Sequence, residues 1–298
     1  MHRRCDMTMQ RGLNEREALS ILAIASLEGD DWNAVDRAAA LARRWKGRLI
    51  VVKTMDDRQL SDAERPSIKD SIERRIAERG PSAPVEVISG AAYSSEAILE
   101  AVKQIAPDLV VMAPSIGWAM GTLIATAPEA VVAVTRCPVL VARSGSKEYA
   151  SGLMASDLSG SCVEAMGHIE RLDLIPVDHL TVLHAYSPLN ETMVTYAGVD
   201  AKEVERISVA AEAKAIDDLN VFIDRCGLSG KVRARTSKAP PAAAVLEEAA
   251  SIAADLIVLG SSRRGSFARF LMGSTVGEVL AGAQCDVIAA PGSEDARD

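Results

Sequence analysis

The segment Ala97-Ile-Leu-Glu-Ala-Val-Lys-Gln-Ile-Ala-Pro-Asp-Leu-Val-Val-Met112 has a counterpart in Ala244-Val-Leu-Glu-Glu-Ala-Ala-Ser-Ile-Ala-Ala-Asp-Leu-Ile-Val-Leu259. Each segment has the pattern of an amphipathic helix, followed by an aspartate and a continuous aliphatic run. Three more pairs match in the same order: Ile21–Ser26 with Gly152–Asp157, Arg48–Lys53 with His179–His184, and Cys137–Ala142 with Cys285–Ala290. Because chance would not reproduce four pairs in one order, the sequence predicts a tandem duplication.

The sequence pattern of each repeat predicts five strands separated by helices. The predicted strands are 20–25, 49–54, 85–89, 109–113 and 139–143 in the first repeat, and 152–156, 180–185, 232–236, 256–260 and 287–290 in the second. These runs are short, β-branched and continuous, which is typical of strands buried on both faces of a parallel sheet. The predicted fold class is therefore α/β, with two tandem doubly wound, parallel five-stranded sheets of Rossmann-like type.

The predicted domains are a polar tail (1–16), a first domain (17–146) and a second domain (147–298), joined by the polar stretch Ser144–Glu148. The second repeat has additional residues around 187–211, which predict either a lid or a longer helix. The final strands of the two repeats would otherwise be exposed edges. We therefore expect them to meet across a pseudo-twofold axis, so that one chain forms an intramolecular pseudo-dimer.

Composition excludes several classes of partner. The formal net charge of −8 and the pI near 5.2 disfavour binding to nucleic acid or anionic lipid. The sequence has no run of the roughly 20 apolar residues that a membrane span needs. Five scattered cysteines without metal-ligand spacing favour a reducing compartment. The sequence thus predicts a cytoplasmic protein that binds neither nucleic acid nor membrane and holds no structural metal.

One segment of the second repeat has the features of an anion site. Open parallel sheets bind ligands at the carboxyl ends of their strands, where the strand order reverses. The predicted fourth strand ends at Leu259-Gly260, and Gly260 would allow a ligand to approach the backbone closely. Gly273-Ser274-Thr275 then precedes a predicted helix, whose free N–H groups and positive end attract phosphate. Arg263 adds positive charge to this segment.

This segment resembles the signature of the universal stress protein family, Gly-x-x-Gly, nine residues, then Gly-Ser/Thr. Gly260 and Gly273-Ser274 match its first and last elements, and the resemblance extends over essentially the whole chain. It implies ATP as the ligand, accompanied by Mg²⁺. It also implies that Asp157 and the backbone at Ala185 hold the adenosine, that Gly260 faces the ribose, and that Gly273, Ser274 and Thr275 hold the phosphates. The candidate nucleotide-binding residues are Ala155, Asp157, Ala185, Leu259, Gly260, Arg263, Gly273, Ser274 and Thr275.

Both repeats depart from this signature, the first more than the second. In the second repeat, Arg263 replaces the second signature glycine, either at a backbone cost of about 1 kcal/mol or with its side chain reaching the phosphates. In the first repeat, Ser26 stands in place of Asp157 and Ala113 in place of Gly260. The loop before Ala125-Thr126 is also one residue shorter. We expect the first repeat to be a structural partner with a degenerate site.

No motif for catalysis is present, so at most slow ATP hydrolysis is expected. Ser159-Gly160-Ser161 bears only a faint likeness to the loop of adenylating enzymes, and His184 is interpreted as a packing or backbone-orienting residue. The favoured hypothesis is a tandem universal stress protein that acts as a nucleotide sensor or scaffold in a stress response. The alternative is an interaction protein of the same fold that binds no nucleotide. Both are compatible with a homodimer and with a protein partner that the sequence does not identify.

Overall fold

The computed structural model describes residues 19–25, 32–53, 64–78, 84–89, 95–114, 127–145, 147–187, 200–261 and 274–292, and strands alternate with helices along it. The strands are β1 (Ser20–Ala25), β2 (Arg48–Lys53), β3 (Val85–Ser89), β4 (Leu109–Met112), β5 (Val139–Val141), β6 (Gly152–Ala155), β7 (Leu180–Ala185), β8 (Arg233–Ser237), β9 (Leu256–Ser261) and β10 (Asp286–Pro291). The helices are α1 (Asn33–Trp45), α2 (Glu64–Glu78), α3 (Ser95–Ile105), α4 (Ala127–Val134), α5 (Gly160–Leu172), α6 (Ala201–Arg225), α7 (Pro241–Ser251) and α8 (Ser274–Gly282).

The strands form one sheet in the order β3-β2-β1-β4-β5-β10-β9-β6-β7-β8. Strands within each repeat pair in parallel, as the continuous aliphatic runs predicted. The two final strands pair antiparallel, with Val141 opposite Val287. The expected meeting of the final strands is thus confirmed, and it joins the two five-stranded halves into a single ten-stranded sheet.

Helices cover both faces of the sheet. The core on one face contains buried residues of α1, α2, α5 and α6, and the core on the other face contains buried residues of α3, α4, α7 and α8. In α1, the apolar residues Val35, Ala38, Ala39, Leu41 and Ala42 recur at helical spacing and are all buried. This distribution is that of a doubly wound α/β fold. Right-handed crossovers that run in opposite directions from the point where the strand order reverses place their helices on opposite faces of the sheet.

The two repeats also agree in local backbone. The residue after α1, Lys46, and the residue after α5, Asp173, both adopt the left-handed conformation that ends many helices. Ala106 and Ala253, which follow the equivalent helices α3 and α7, have φ values of 46° and 49°. The duplication is therefore visible in strained backbone positions as well as in the sequence pattern.

The aspartate of the repeated segment has a structural role in both repeats. The Asp108 carboxylate accepts a hydrogen bond from the Ser20 backbone N–H at 3.0 Å, at the start of β1. The equivalent Asp255 accepts hydrogen bonds from the backbone N–H groups of Ala150 and Ser151 at 2.7 and 3.1 Å, just before β6. Each acid therefore satisfies backbone donors where the first strand of its repeat enters the sheet.

A buried ionic cluster joins the repeats beside the β5–β10 pair. Asp286 is fully buried, and Oδ2 of its carboxylate lies 3.0 Å from Nε of Arg37 on α1. The same oxygen accepts a hydrogen bond from the Tyr149 hydroxyl at 2.7 Å, and Oδ1 accepts hydrogen bonds from the backbone N–H groups of Arg143 and Ser144. The Arg37 guanidinium also lies over the Tyr149 ring at 4.3 Å. The stretch that connects the repeats is therefore bound to β10 of the second repeat through Asp286 and contacts α1 of the first repeat through Arg37.

The additional residues of the second repeat form a helix over the part that is described. The helix α6 runs for 25 residues, so residues 201–211 belong to a longer helix and not to a lid; residues 188–199 lie outside the described part. No helix among the described residues is both long enough and apolar enough to cross a membrane.

Candidate functional site

The site begins where the strands of the second repeat end together. Ala155, the last residue of β6, lies in register with Leu183 of β7 on one side and with Leu259 of β9 on the other. The chain proceeds from β6 to β7 on one side, while β9 pairs on the other, so the strand order reverses between β6 and β9. The predicted residues Ala155, Ala185, Leu259 and Gly260 therefore lie at one edge of the sheet, at the point where such folds bind ligands.

Asp157 lies on a tight turn between β6 and α5. Leu158 adopts the left-handed conformation with a φ of 65°, which costs about 1 kcal/mol for a residue with a side chain. The backbone N–H of Leu158 donates to Oγ of Ser156, and the backbone N–H of Ser159 donates to Oδ1 of Asp157, each at 3.0 Å. The turn thus holds an exposed carboxylate in a defined orientation at the edge of the sheet.

The Cys162 thiol, one turn into α5, donates a further hydrogen bond to the same Asp157 oxygen at 3.2 Å. Although Asp157 is exposed, the neighbouring turn and helix partly desolvate its carboxyl, which raises the pKa; the hydrogen bonds from Ser159 and Cys162 outweigh this, so that the pKa lies below its ordinary value. Asp157 is therefore ionised at neutral pH and can accept a hydrogen bond from a ligand.

His184 lies beside this turn near the end of β7. Its Nδ1 lies 3.0 Å from the carbonyl oxygen of Ser156, and the backbone N–H of Ser156 donates to the carbonyl oxygen of Leu183 at 2.9 Å. This contact agrees with the interpretation of His184 as a residue that orients the backbone. Ala185 follows directly, with its backbone in register with Ser237 of β8.

Gly260 has a packing role that the sequence did not indicate. A Cβ atom at this position would lie 2.9 Å from Sγ of Cys162 and 3.2 Å from its Cα. Contacts this short would force Cys162 or the strand to shift, so the close approach of α5 to β9 favours glycine. This reason differs from the close approach of a ligand that the sequence suggested.

The helix α8 provides the last part of the site. It leads into β10, which runs parallel to β9, so α8 runs antiparallel to these strands and begins at their carboxyl edge. Ser274 and Thr275, which the sequence placed just before this helix, are its first two residues, and their backbone N–H groups belong to the first turn, which has no intrahelical acceptors. Arg263 and Gly273 lie outside the described residues.

The equivalent positions of the first repeat have different side chains. Val35 of α1 corresponds to Cys162 of α5 and is fully buried, while Ala113 corresponds to Gly260 and is half-buried. A valine cannot donate a hydrogen bond, so this repeat has no thiol at the equivalent place. Ser26 and the loop 115–126 lie outside the described residues.

Cys162 is the residue that sequence reasoning missed. The available signal was the five-residue spacing from Asp157, which places the thiol in the first turn of the following helix, together with the valine at the equivalent place in the first repeat. Within the described ranges, no group of three or more His, Cys, Asp or Glu side chains could hold a metal ion. The described groups of the candidate site are therefore backbone, one carboxylate and a helix start.

Comparison with known proteins agrees with the duplicated fold. The model of the family described as "Universal stress protein family" matches residues 20–143 and again residues 152–291. A functionally unknown protein from Pseudomonas aeruginosa PAO1 has a similar structure, with 16% identity, a TM-score of 0.67 and 93% of each chain covered. A universal stress protein from Archaeoglobus fulgidus DSM 4304 is similar too, with 18% identity, a TM-score of 0.60, and 93% of this chain and 97% of that chain covered. No curated protein matches the chain in sequence.

Proposed function

The chain belongs to the universal stress protein family, and from this we propose that its second repeat binds ATP or a related adenine nucleotide as a sensor or scaffold in a stress response. The observation that carries the proposal is the placement of Asp157, the end of β9 and the start of α8 at the same carboxyl edge of the sheet, where the strand order reverses. A carboxylate that accepts hydrogen bonds suits the amino groups of a base. A helix start suits phosphate.

Each part of the nucleotide has a proposed partner. Asp157 and the backbone at Ala185 hold the adenosine, and the backbone at Ala155, Leu259 and Gly260 lines the ribose. The backbone amides and hydroxyl groups of Ser274 and Thr275, with the preceding Gly273, hold the phosphates. Arg263 contributes charge to the phosphates, and Mg²⁺ accompanies ATP. The contribution of the helix start is electrostatic, because the first-turn N–H groups and the helix dipole act on the same anion.

The proposed activity is binding and not turnover. The titratable groups described near the binding edge, Asp157, Cys162 and His184, already hydrogen-bond to the turn around Ser156 or lie within hydrogen-bond distance of it. Burial raises the pKa of the Cys162 thiol that bonds to Asp157 to about 11, so it is protonated and a poor nucleophile, and none of the three groups is paired with a second acid in the described part of the site. Slow hydrolysis would need only a positioned water and Mg²⁺ near solvent-exposed phosphates.

A second candidate function is an interaction scaffold that binds no nucleotide. The observation that favours it is the packing of Gly260 against Cys162, since this contact explains the glycine without any ligand. The first repeat supports the same reading, because it retains the fold with Val35 and Ala113 at the equivalent positions. The two functions differ in one measurable property, which is affinity for adenine nucleotides.

Isothermal titration calorimetry and thermal unfolding with Mg-ATP, AMP and cyclic AMP test the proposal. Nucleotide at about 100 times its Kd should stabilise the protein by about 2.7 kcal/mol. The double variant Asp157→Ala with Gly273→Val should lose this effect. Asp178→Ala is the matched control, because it removes an exposed carboxylate from the turn before β7, at the opposite edge of the sheet. Absence of binding by the wild type at millimolar nucleotide would exclude the sensor function and favour the scaffold.

A further inference from the structure

The Cys162 side chain lies between two elements of the proposed nucleotide site. It occupies the first turn of α5 and is 3% exposed. On one side its thiol donates to Oδ1 of Asp157 at 3.2 Å. On the other side it packs where a side chain on Gly260 would lie, 2.9 Å from a Cβ built there. One residue thus touches both the acid after β6 and the end of β9.

The hydrogen bonds on Asp157 fix the carboxylate rather than merely solvate it. The Ser159 backbone N–H at 3.0 Å and the Cys162 thiol at 3.2 Å both point to Oδ1. Two donors on one oxygen restrict rotation of the carboxylate about its Cβ–Cγ bond. The backbone donor is fixed by the turn itself, whereas the thiol is a donor that a single substitution can remove.

Redox or nucleophilic chemistry does not explain this thiol. Burial, and then the negative charge of Asp157, raises the pKa of Cys162 to about 11, so the thiol stays protonated at neutral pH. A protonated and buried thiol is a poor nucleophile and a poor metal ligand, but it can donate a hydrogen bond. The chemistry therefore favours a positioning role over a reactive one.

We propose that Cys162 is a positioning residue of the nucleotide site, and that its thiol orients the Asp157 carboxylate toward the base. This inference rests on the proposed function of the second repeat. It also gives the difference between the repeats a physical meaning. Val35 occupies the equivalent buried place in the first repeat and offers no donor, so a carboxylate in that position would lack its second hydrogen bond.

Few charged groups surround the Asp157–Cys162 pair. Among the described residues, the titratable groups that face it are the Cys162 thiol from α5, the His184 ring from β7, whose Nδ1 lies against the carbonyl oxygen of Ser156, and the Cys226 thiol after α6, which is close enough to interact with Cys162. The described end of β9 contributes Gly260, and the described start of α8 contributes Ser274 and Thr275, which do not titrate at accessible pH. A change in the titration of Asp157 on substitution of Cys162 therefore reports on the thiol.

The first experiment needs no nucleotide. Carboxyl-¹³C NMR of protein labelled at aspartate, with Asp157 assigned through Asp157→Asn, gives the pKa of Asp157 in wild type, Cys162→Ala and Cys162→Ser. Cys162→Ala should raise this pKa because a donor to the ionised form is lost, and Cys162→Ser should keep it low because a hydroxyl replaces the thiol. Cys137→Ala, a half-buried cysteine of the first repeat, is the control and should change nothing. An unchanged Asp157 pKa in Cys162→Ala overturns the inference.

The second experiment measures affinity for ATP by calorimetry in the same proteins. Cys162→Ala should weaken binding by about fivefold, the effect of one ordinary hydrogen bond, and Cys162→Ser should restore most of it. Cys137→Ala should bind like wild type. Equal affinity in wild type and Cys162→Ala overturns the positioning role. A wild type that binds no adenine nucleotide overturns the proposed function instead, so the two failures are distinguished in one set of titrations.

Discussion

The two repeats have nearly the same backbone but different side chains at three functional or connecting positions. The helix-ending residues Lys46 and Asp173 share a left-handed conformation, and the acids Asp108 and Asp255 bind the start of the first strand in each repeat. The differences lie elsewhere: Val35 against Cys162, Ala113 against Gly260, and Pro138 against Asp286. The first two pairs lie at the carboxyl edge of the sheet, and the third lies at the junction of the repeats.

This contrast separates the residues that build the scaffold from those that distinguish one repeat. An acid that satisfies backbone donors is needed wherever the strand enters the sheet, so both repeats retain it. A thiol against a glycine is not needed for the sheet, because the first repeat forms the same strands with valine and alanine. The asymmetry therefore agrees with the proposed role of Cys162 beyond folding, with Gly260 making room for Cys162, and it gives Asp286 a connecting role.

The largest effect is expected at the junction, from Asp286→Ala. The carboxylate is fully buried beside Arg37 and Tyr149, and the first repeat has Pro138 in its place. Removing the Asp286 carboxylate leaves the buried Arg37 guanidinium without its counter-charge, which costs about 3–5 kcal/mol of unfolding free energy. Urea unfolding followed by circular dichroism measures this loss.

The control for the junction is Arg48→Ala, which breaks the exposed ion pair with Glu86 inside the first repeat. Exposed pairs contribute about 0–1 kcal/mol, so this variant should remain close to wild type. A similar stability for Asp286→Ala and Arg48→Ala would show that the buried cluster does not hold the repeats together.

An intermediate effect is expected when the two repeats exchange the residue after their fourth strand. Gly260→Ala places a Cβ 3.2 Å from the backbone Cα atom of Cys162, which cannot move as a thiol can, so overpacking should cost about 1–3 kcal/mol. Ala113→Gly should cost about 0.5–1 kcal/mol, through the greater freedom of glycine in the unfolded chain. Urea midpoints of both variants test this. An equal or smaller cost for Gly260→Ala would mean that α5 does not need the glycine.

The smallest effect concerns pH and the Cys162 thiol. Burial raises its pKa from 9.0 to about 11, so between these values the folded state keeps a proton that the unfolded state releases. The unfolding free energy therefore falls as pH rises through this interval, and full stability is present below it. Cys162→Val, which makes the second repeat resemble the first at Val35, should reduce the slope, as measured by urea unfolding at several pH values. An unchanged slope in this variant would contradict the assignment, since the titrating lysines and other thiols are common to both proteins.

Much of the fold was predictable from sequence. The predicted strands differ from the observed ones by two residues or fewer at their ends, as for β4 (predicted 109–113, observed Leu109–Met112) and β8 (predicted 232–236, observed Arg233–Ser237). Continuous aliphatic runs give a strong signal because a strand buried on both faces has no polar positions. The meeting of β5 and β10 was also predictable, since two exposed edges were available for pairing.

Less of the site was predictable. The sequence indicated Asp157, Ser274 and Thr275 through their places after a strand and before a helix, and the structure places them at the expected edge. It did not indicate Cys162, and it gave a different reason for Gly260. Both depend on the distance between α5 and β9, which is set by the packing of the whole layer and has no signature in either segment alone.

The sequence by itself determined the duplication and the class of fold, because these follow from periodicity and from repeats along the chain, and it indicated the edge of the sheet at which we propose that a ligand binds. The tertiary structure alone decided that Asp286 is buried beside Arg37, that Asp108 and Asp255 bind strand starts, and that the Cys162 thiol lies on Asp157. The physical reason is that a hydrogen bond or ion pair depends on distances of about 3 Å. Such distances between residues far apart in the chain are fixed only when the helices pack on the sheet.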